Sequence, residues 1–113
     1  MSSIVKTPKP PYYAVIFVSE RTDEDRGYQE IAGKMEELAQ EIPGFLGIES
    51  ARGSDGFGIT VSYWESEEAI RKWKEHSLHQ VAQERGRMEW YLRFKTRVCK
   101  VYREKEYERK EKA

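Results

Sequence analysis

Thiols are almost absent from this chain. One cysteine, Cys99, in 113 residues excludes an intrachain disulfide and leaves too few thiolates for a cysteine zinc site. Net charge is missing as well: 20 basic side chains balance 20 acidic ones, which removes any global electrostatic case for nucleic acid or an anionic membrane as partner. No apolar run approaches the ~18 residues of a membrane span, and the opening MSSIVKTPKPP has no signal-peptide core. A cytoplasmic protein is expected, with neither membrane nor nucleic acid as partner. Proline is scarce, and Pro8, Pro10 and Pro11 fall together at the start. Residues 1–11 therefore read as a flexible leader with little to bury.

What remains is room for one domain, expected over residues 12–103, with 104–113 as a charged, solvated tail. Tyr12 to Glu20, YYAVIFVSE, is rich in β-branched and aromatic residues on both alternating faces, the pattern of a strand covered on both sides. Asp23 or Asp25 can cap the helix that follows, in which Tyr28, Ile31, Ala32, Met35, Leu38, Ala39 and Ile42 recur at spacings of three and four. Pro43-Gly44 stops it. FLGIESAR and FGITVSYW are strand-like runs separated by GSDG, which makes a hairpin.

From Ser66 to Arg85 one long helix is expected. Ser66 is the N-cap, Glu67 and Glu68 sit at the positive end of its dipole, and Gly86 is placed to end it in the left-handed conformation. A last strand spans Tyr91 to Arg103. The order β-α-β-β-α-β with right-handed crossovers gives a ferredoxin-like α+β fold: a four-stranded antiparallel sheet with both helices on one face. Tyr13, Val15 and Phe17 face one way, and Ala14, Ile16 and Val18 the other. The second face must be covered too, and a second copy packing sheet to sheet gives a homodimer whose sheets form a barrel.

The long helix changes character midway. Ala69, Ile70 and Trp73 form an inward stripe that helical spacing continues through His76, Ser77, Gln80, Val81 and Gln83. Burying such amides and imidazoles without partners costs roughly 1–3 kcal/mol each. Either this end is partly exposed or held at a subunit contact, or its polar groups line a cavity beside the Trp73 indole.

The blocks PGFLGIES and GITVSYWESEEAIRKWKEHSLHQVAQERGR, followed by WY and a final strand, resemble the antibiotic biosynthesis monooxygenase (ABM) family of dimeric α+β barrels over Tyr12 to Arg103. The resemblance implies a monooxygenase acting with O2 on a small aromatic or phenolic molecule in a cavity between the second helix and the sheet. It places Trp73 at the cavity-facing indole of the family. The haem-degrading members carry an iron-ligating His ten residues after that Trp, where this chain has Gln83. They also carry an Asn near the end of the first strand, where this chain has Ser19-Glu20. These departures argue against haem, which His76 or His79 could ligate only after a shift in register, and no cofactor is expected; the alternatives are a non-catalytic dimeric module that binds a small ligand or haem, and a haem-degrading oxygenase.

His76 and His79 are spaced to share a metal, but no third ligand is indicated and none is assigned. An imidazole can instead serve as general base toward a phenol, and on helical spacing His76 lies nearer Trp73; a structural, hydrogen-bonded role fits the same spacing. The expected catalytic residues are Trp73 and His76. Trp64, His79, Gln80, Gln83 and Arg93 are the expected substrate-binding set, with Arg93 placed to meet an anionic substrate or a carboxylate across the dimer. Trp64, Trp90, Tyr63 and Tyr91 cluster at strand ends as core, interface or pocket aromatics.

Overall fold

The computed structural model describes residues 4–110 and, of Ser77 and Leu78, the backbone alone; the rest of the expected leader and tail lies outside the described residues. Four strands, β1 (Tyr12–Arg21), β2 (Phe45–Arg52), β3 (Phe57–Trp64) and β4 (Tyr91–Val101), form one antiparallel sheet in the order β2-β3-β1-β4. The central place of β1 follows from its two apolar faces. Helix α1 (Tyr28–Glu41) crosses from β1 to β2, and α2 (Glu67–Glu75) and α3 (Ser77–Arg85) lead from β3 to β4. The chain is the expected ferredoxin-like α+β fold.

The local signals act largely as expected. The Ser66 hydroxyl accepts from the Ala69 amide at 3.1 Å, giving α2 its N-terminal stop. At the start of α1, Gly27 occupies the cap in the left-handed region and offers no side chain. The Asp25 carboxylate accepts instead from the Gly27 and Gln29 amides, at 3.1 and 3.3 Å. The α1 stripe from Tyr28 to Ala39 faces the sheet while Glu30, Lys34 and Glu37 face water. Gly44, at φ 97°, turns the chain into β2 where a side chain would strike Ala69. The core joins Val15, Ala39, Trp64, Ala69 and Ile70, with Tyr13, Ile42, Phe45 and Trp73 packed around it.

Two expectations fail between Ser66 and Tyr91. The helix is not continuous: it ends at Glu75, and His76 adopts an extended backbone with ψ 139° before α3 begins. Nor does Gly86 end a helix in the left-handed region. It opens a turn of π-helix, Gly86–Trp90, that delivers the chain to β4. The extra residue of such a turn shifts the phase of every side chain after it.

The face of β1 that carries Val15 and Phe17 bears the helices. On the other face Ile16 and Val18 are half-buried, and β3 shows Phe57 and Ile59, 46% and 42% exposed. Residues 4–11 have no regular structure, yet the Val5 amide donates to Glu49 at 2.9 Å and Thr7 joins the Tyr12 hydroxyl and Glu104. Among the described residues no helix is long and apolar enough to cross a membrane.

Candidate active site

Between the helices and the sheet lies a cavity of about 330 Å³. Its floor is the inward face of the sheet: Val15 and Phe17 of β1, Ile48 and Ser50 of β2, Thr60 and Ser62 of β3, Phe94 and Thr96 of β4. Pairing places Val15 opposite Ser62 and Phe17 opposite both Thr60 and Thr96. One wall is the α1 stripe, Tyr28, Ile31, Ala32, Met35 and Ala39. The facing wall is Ile70, Trp73, His79, Ala82 and Gln83, and the charged lining groups are Glu36, Lys74 and Arg87. A helix packed on a sheet for stability alone would meet Val or Ile where Thr60, Ser62 and Thr96 stand. Their small hydroxyl side chains leave space and offer hydrogen bonds instead.

At one end three rings stack. Trp64 is fully buried and donates through Nε1 to the Ser62 hydroxyl at 2.9 Å. Trp73 packs on it with ring centres 5.0 Å apart, and His79 meets Trp73 edge to face at 4.3 Å. Trp64 thus supports the cavity wall from behind. The indole Nε1 of Trp73 and Nδ1 of His79 are buried, and neither has a hydrogen-bond partner. Each such atom costs roughly 1–3 kcal/mol relative to a satisfied one, so two adjacent ones mark a place shaped for something other than stability. Burial pushes the His79 pKa down to about 4, and the positive charges of Lys74 and His76 add to the shift. The imidazole is neutral at pH 7.

The break at His76 decides which histidine meets the indole. Helical spacing favours His76, but its side chain is exposed and outside the lining, and it is His79 that α3 brings onto Trp73. Gln83 lines the cavity. Gln80 is exposed and outside it, and Arg93 lies on the surface paired with Glu20 at 3.6 Å. Ser77 belongs to the expected polar stripe, but its side chain is outside the described set. At the position where a haem-degrading member would present imidazole, Gln83 offers an amide, whose donor atoms do not suit haem iron. Among the described residues no three His, Cys, Asp or Glu side chains cluster as a metal site would need.

The other end is aromatic. Tyr91 packs edge to face on Phe17 at 5.3 Å and on Tyr28 at 6.0 Å, and Tyr28 meets Trp90 at 5.5 Å. Gly86 allows this closure, since a Cβ there would stand 2.9 Å from the Tyr91 ring. Trp90 is anchored by donation from Nε1 to the Arg26 carbonyl at 3.1 Å. Burial, and after it the charge and hydrogen bond of Tyr28, raise the Tyr91 pKa far above its ordinary value. Neither Tyr28 nor the hydroxyl floor stands out in sequence reasoning. The available signal for the floor is that Thr60 and Ser62 occupy the inward positions of β3, where a packed core would alternate apolar residues.

The sequence pattern of the family described as antibiotic biosynthesis monooxygenase matches residues 11–85. The uncharacterized protein YqjZ of Bacillus subtilis (strain 168) is 53% identical over 105 residues, covering 93% of this chain and 92% of the relative. Among solved structures, a point variant of SnoaB, a cofactor-independent oxygenase from Streptomyces nogalater, superposes with a TM-score of 0.70 at 10% identity, over 83% of this chain and 95% of SnoaB. Rv0793 of Mycobacterium tuberculosis gives 0.67 at 12% identity, over 86% and 99%. At such identities the two structures bear on the fold alone.

Proposed function

Because the chain belongs to the antibiotic biosynthesis monooxygenase family, we propose that its cavity binds a small hydroxyaromatic molecule and oxidises it with O2. The observation that carries this reading is the pair of unpartnered buried nitrogens on Trp73 and His79, set against each other at one end of the cavity. An indole N–H can only donate. Nδ1 of a neutral imidazole protonated on Nε2 can accept. A phenolic hydroxyl, which does both, satisfies the two together.

The chemistry asked of the protein is limited. In an anthrone-type phenol the ring CH2 is acidic, and its carbanion is delocalised onto the ring oxygen. His79 takes the proton, Trp73 donates to the oxygen on which negative charge grows, and the Lys74 ammonium on the same cavity wall favours that charge. A pKa of about 4 makes the free imidazole a weak base, but an oxyanion forming beside it stabilises imidazolium and raises its proton affinity at the moment of transfer. The carbanion adds O2 at carbon and the peroxide is protonated. Loss of water then breaks the O–O bond and the remaining C–H bond, leaving a carbonyl. Conversion of CH2 to C=O releases four electrons, and O2 accepts four in becoming the carbonyl oxygen and water. No external reductant enters the balance.

In this scheme the proton-accepting role that helical spacing gives to His76 falls to His79. Oxygen consumption on a panel of quinols and anthrone-like phenols is the test. Uptake should be lost in Trp73→Phe and His79→Gln and kept in His76→Ala. Binding of phenols or of haem with no oxygen consumed would replace the enzyme by a ligand-binding module. We further propose that the exposed face of the sheet, with Phe57, Ile59, Ile16 and Val18, is the contact of a homodimer. Light scattering should return twice the 13.4 kDa chain mass, and a monodisperse monomer would refute this.

A further inference from the structure

The end of the cavity away from Trp73 is ringed by positive charge, and Glu36, the carboxylate in the cavity lining, pairs with none of it. Arg21 lies over the Tyr28 ring, its Cζ 3.7 Å from the centre, and spends its hydrogen bonds on the carbonyls of Glu24 and Trp90. Arg52 lies across Gly58, where a Cβ would stand 2.6 Å from its Cζ. It reaches the buried Ser19 hydroxyl at 2.7 Å and the Gly56 carbonyl. Both guanidiniums exert their field at the Tyr91 oxygen, which is hydrogen-bonded to Tyr28. Arg87 lines the cavity directly. Among the described residues none of the three pairs with a carboxylate, whereas Arg26, Arg71, Arg85 and Arg93 all do.

We propose that this end, formed by Tyr28, Tyr91 and Arg87 with Arg21 and Arg52 behind them, is an anion subsite, and that the substrate is an aromatic acid whose carboxylate lies there. Its hydroxyl end then meets Trp73 and His79. The assignment rests on the cavity taking a hydroxyaromatic molecule, as proposed above. The spacing suits it. Trp73 packs on Trp64, which pairs with Tyr13, and Tyr91 packs on Phe17, four residues further along β1. At a strand rise of ~3.3 Å per residue this sets the two ends about 13 Å apart, the reach of a fused ring system with polar groups at opposite ends. Guanidinium and tyrosine hydroxyl donors suit a carboxylate, and their hydrogen bonds strengthen when the acceptor is charged.

Titration calorimetry with 6-hydroxy-2-naphthoic acid and its methyl ester tests this without any turnover. The acid should bind the wild-type protein about tenfold more tightly than the ester, with the preference shrinking as salt is raised. Arg87→Gln, at an exposed position, should lower acid affinity about threefold and leave the ester unchanged. Tyr91→Phe, which keeps the ring packing, should act in the same direction. Equal affinity for acid and ester, no binding of either, or an equal loss of both in Arg87→Gln overturns the subsite. A protein that prefers the acid yet consumes no oxygen with any phenol refutes the oxygenase reading and leaves the subsite standing.

Discussion

Neutral burial of His79 should make the fold sensitive to mild acid in a way that a single substitution removes. The imidazole titrates near 6.5 in the unfolded chain and at about 4 in the folded one. The unfolded state therefore binds the proton first as pH falls. Stability is complete above 6.5, declines through the interval, and levels off below about 4. At 1.36 kcal/mol per pH unit the whole interval amounts to about 3 kcal/mol, or roughly 12 °C in Tm for a domain of this size. Glu89 and Glu104, whose carboxylates are held below their ordinary range first by hydrogen bonds from Arg85 and Tyr12 respectively, lose stability at lower pH and do so in any background. The difference between wild type and His79→Gln isolates the imidazole. Thermal melts from pH 7.5 downward should show a slope in the wild type that His79→Gln flattens, and NMR in a His76→Ala background should show one imidazole still neutral at pH 5.5. Parallel melting curves for the two proteins, or an imidazole titrating at its ordinary value, would refute the assignment of His79 to a dry site.

Three further substitutions have outcomes fixed by local geometry. Trp73→Phe keeps the ring on Trp64 but removes the unpartnered indole N–H; it should hold or raise stability by about 1 kcal/mol in chemical denaturation while oxygen uptake is lost, and retained uptake would refute the role of the indole. Ser66→Ala removes the acceptor for the Ala69 amide and should cost about 1 kcal/mol, measured by urea unfolding; no change would mean that the cap adds nothing to α2. Gly44→Ala forces a side chain onto φ 97° and against Ala69, 2.8 Å away, which should cost about 2 kcal/mol or more; a Tm equal to wild type would show that this turn relaxes freely.

Each element of the β-α-β-β-α-β order carries a local signal, which is why the fold is legible without coordinates: two-sided apolarity in β1, the three-four stripe of α1, GSDG between β2 and β3, and Ser66 before α2. The site is less legible because two irregularities set its geometry. The stretch EHSLHQ contains neither Pro nor Gly, so nothing local announces that His76 leaves the helix, and only the packing of α3 onto Trp73 selects His79 instead. The π-turn after Arg85 likewise rests on Gly86 meeting the Tyr91 ring, a contact between residues five apart in sequence that periodicity does not encode. Both irregularities surround the same cavity, whose lining adds hydroxyls where Val would pack and two nitrogens without partners. A sequence selected for stability alone would carry Leu at His79 and Val at Thr60 and Ser62, filling the cavity. Of the polar half of the second helical segment, which looks like weak amphipathicity on a helical wheel, His79 and Gln83 line the cavity while His76 and Gln80 face outward, and the unpartnered nitrogens of Trp73 and His79 are what the proposed hydroxyaromatic would satisfy.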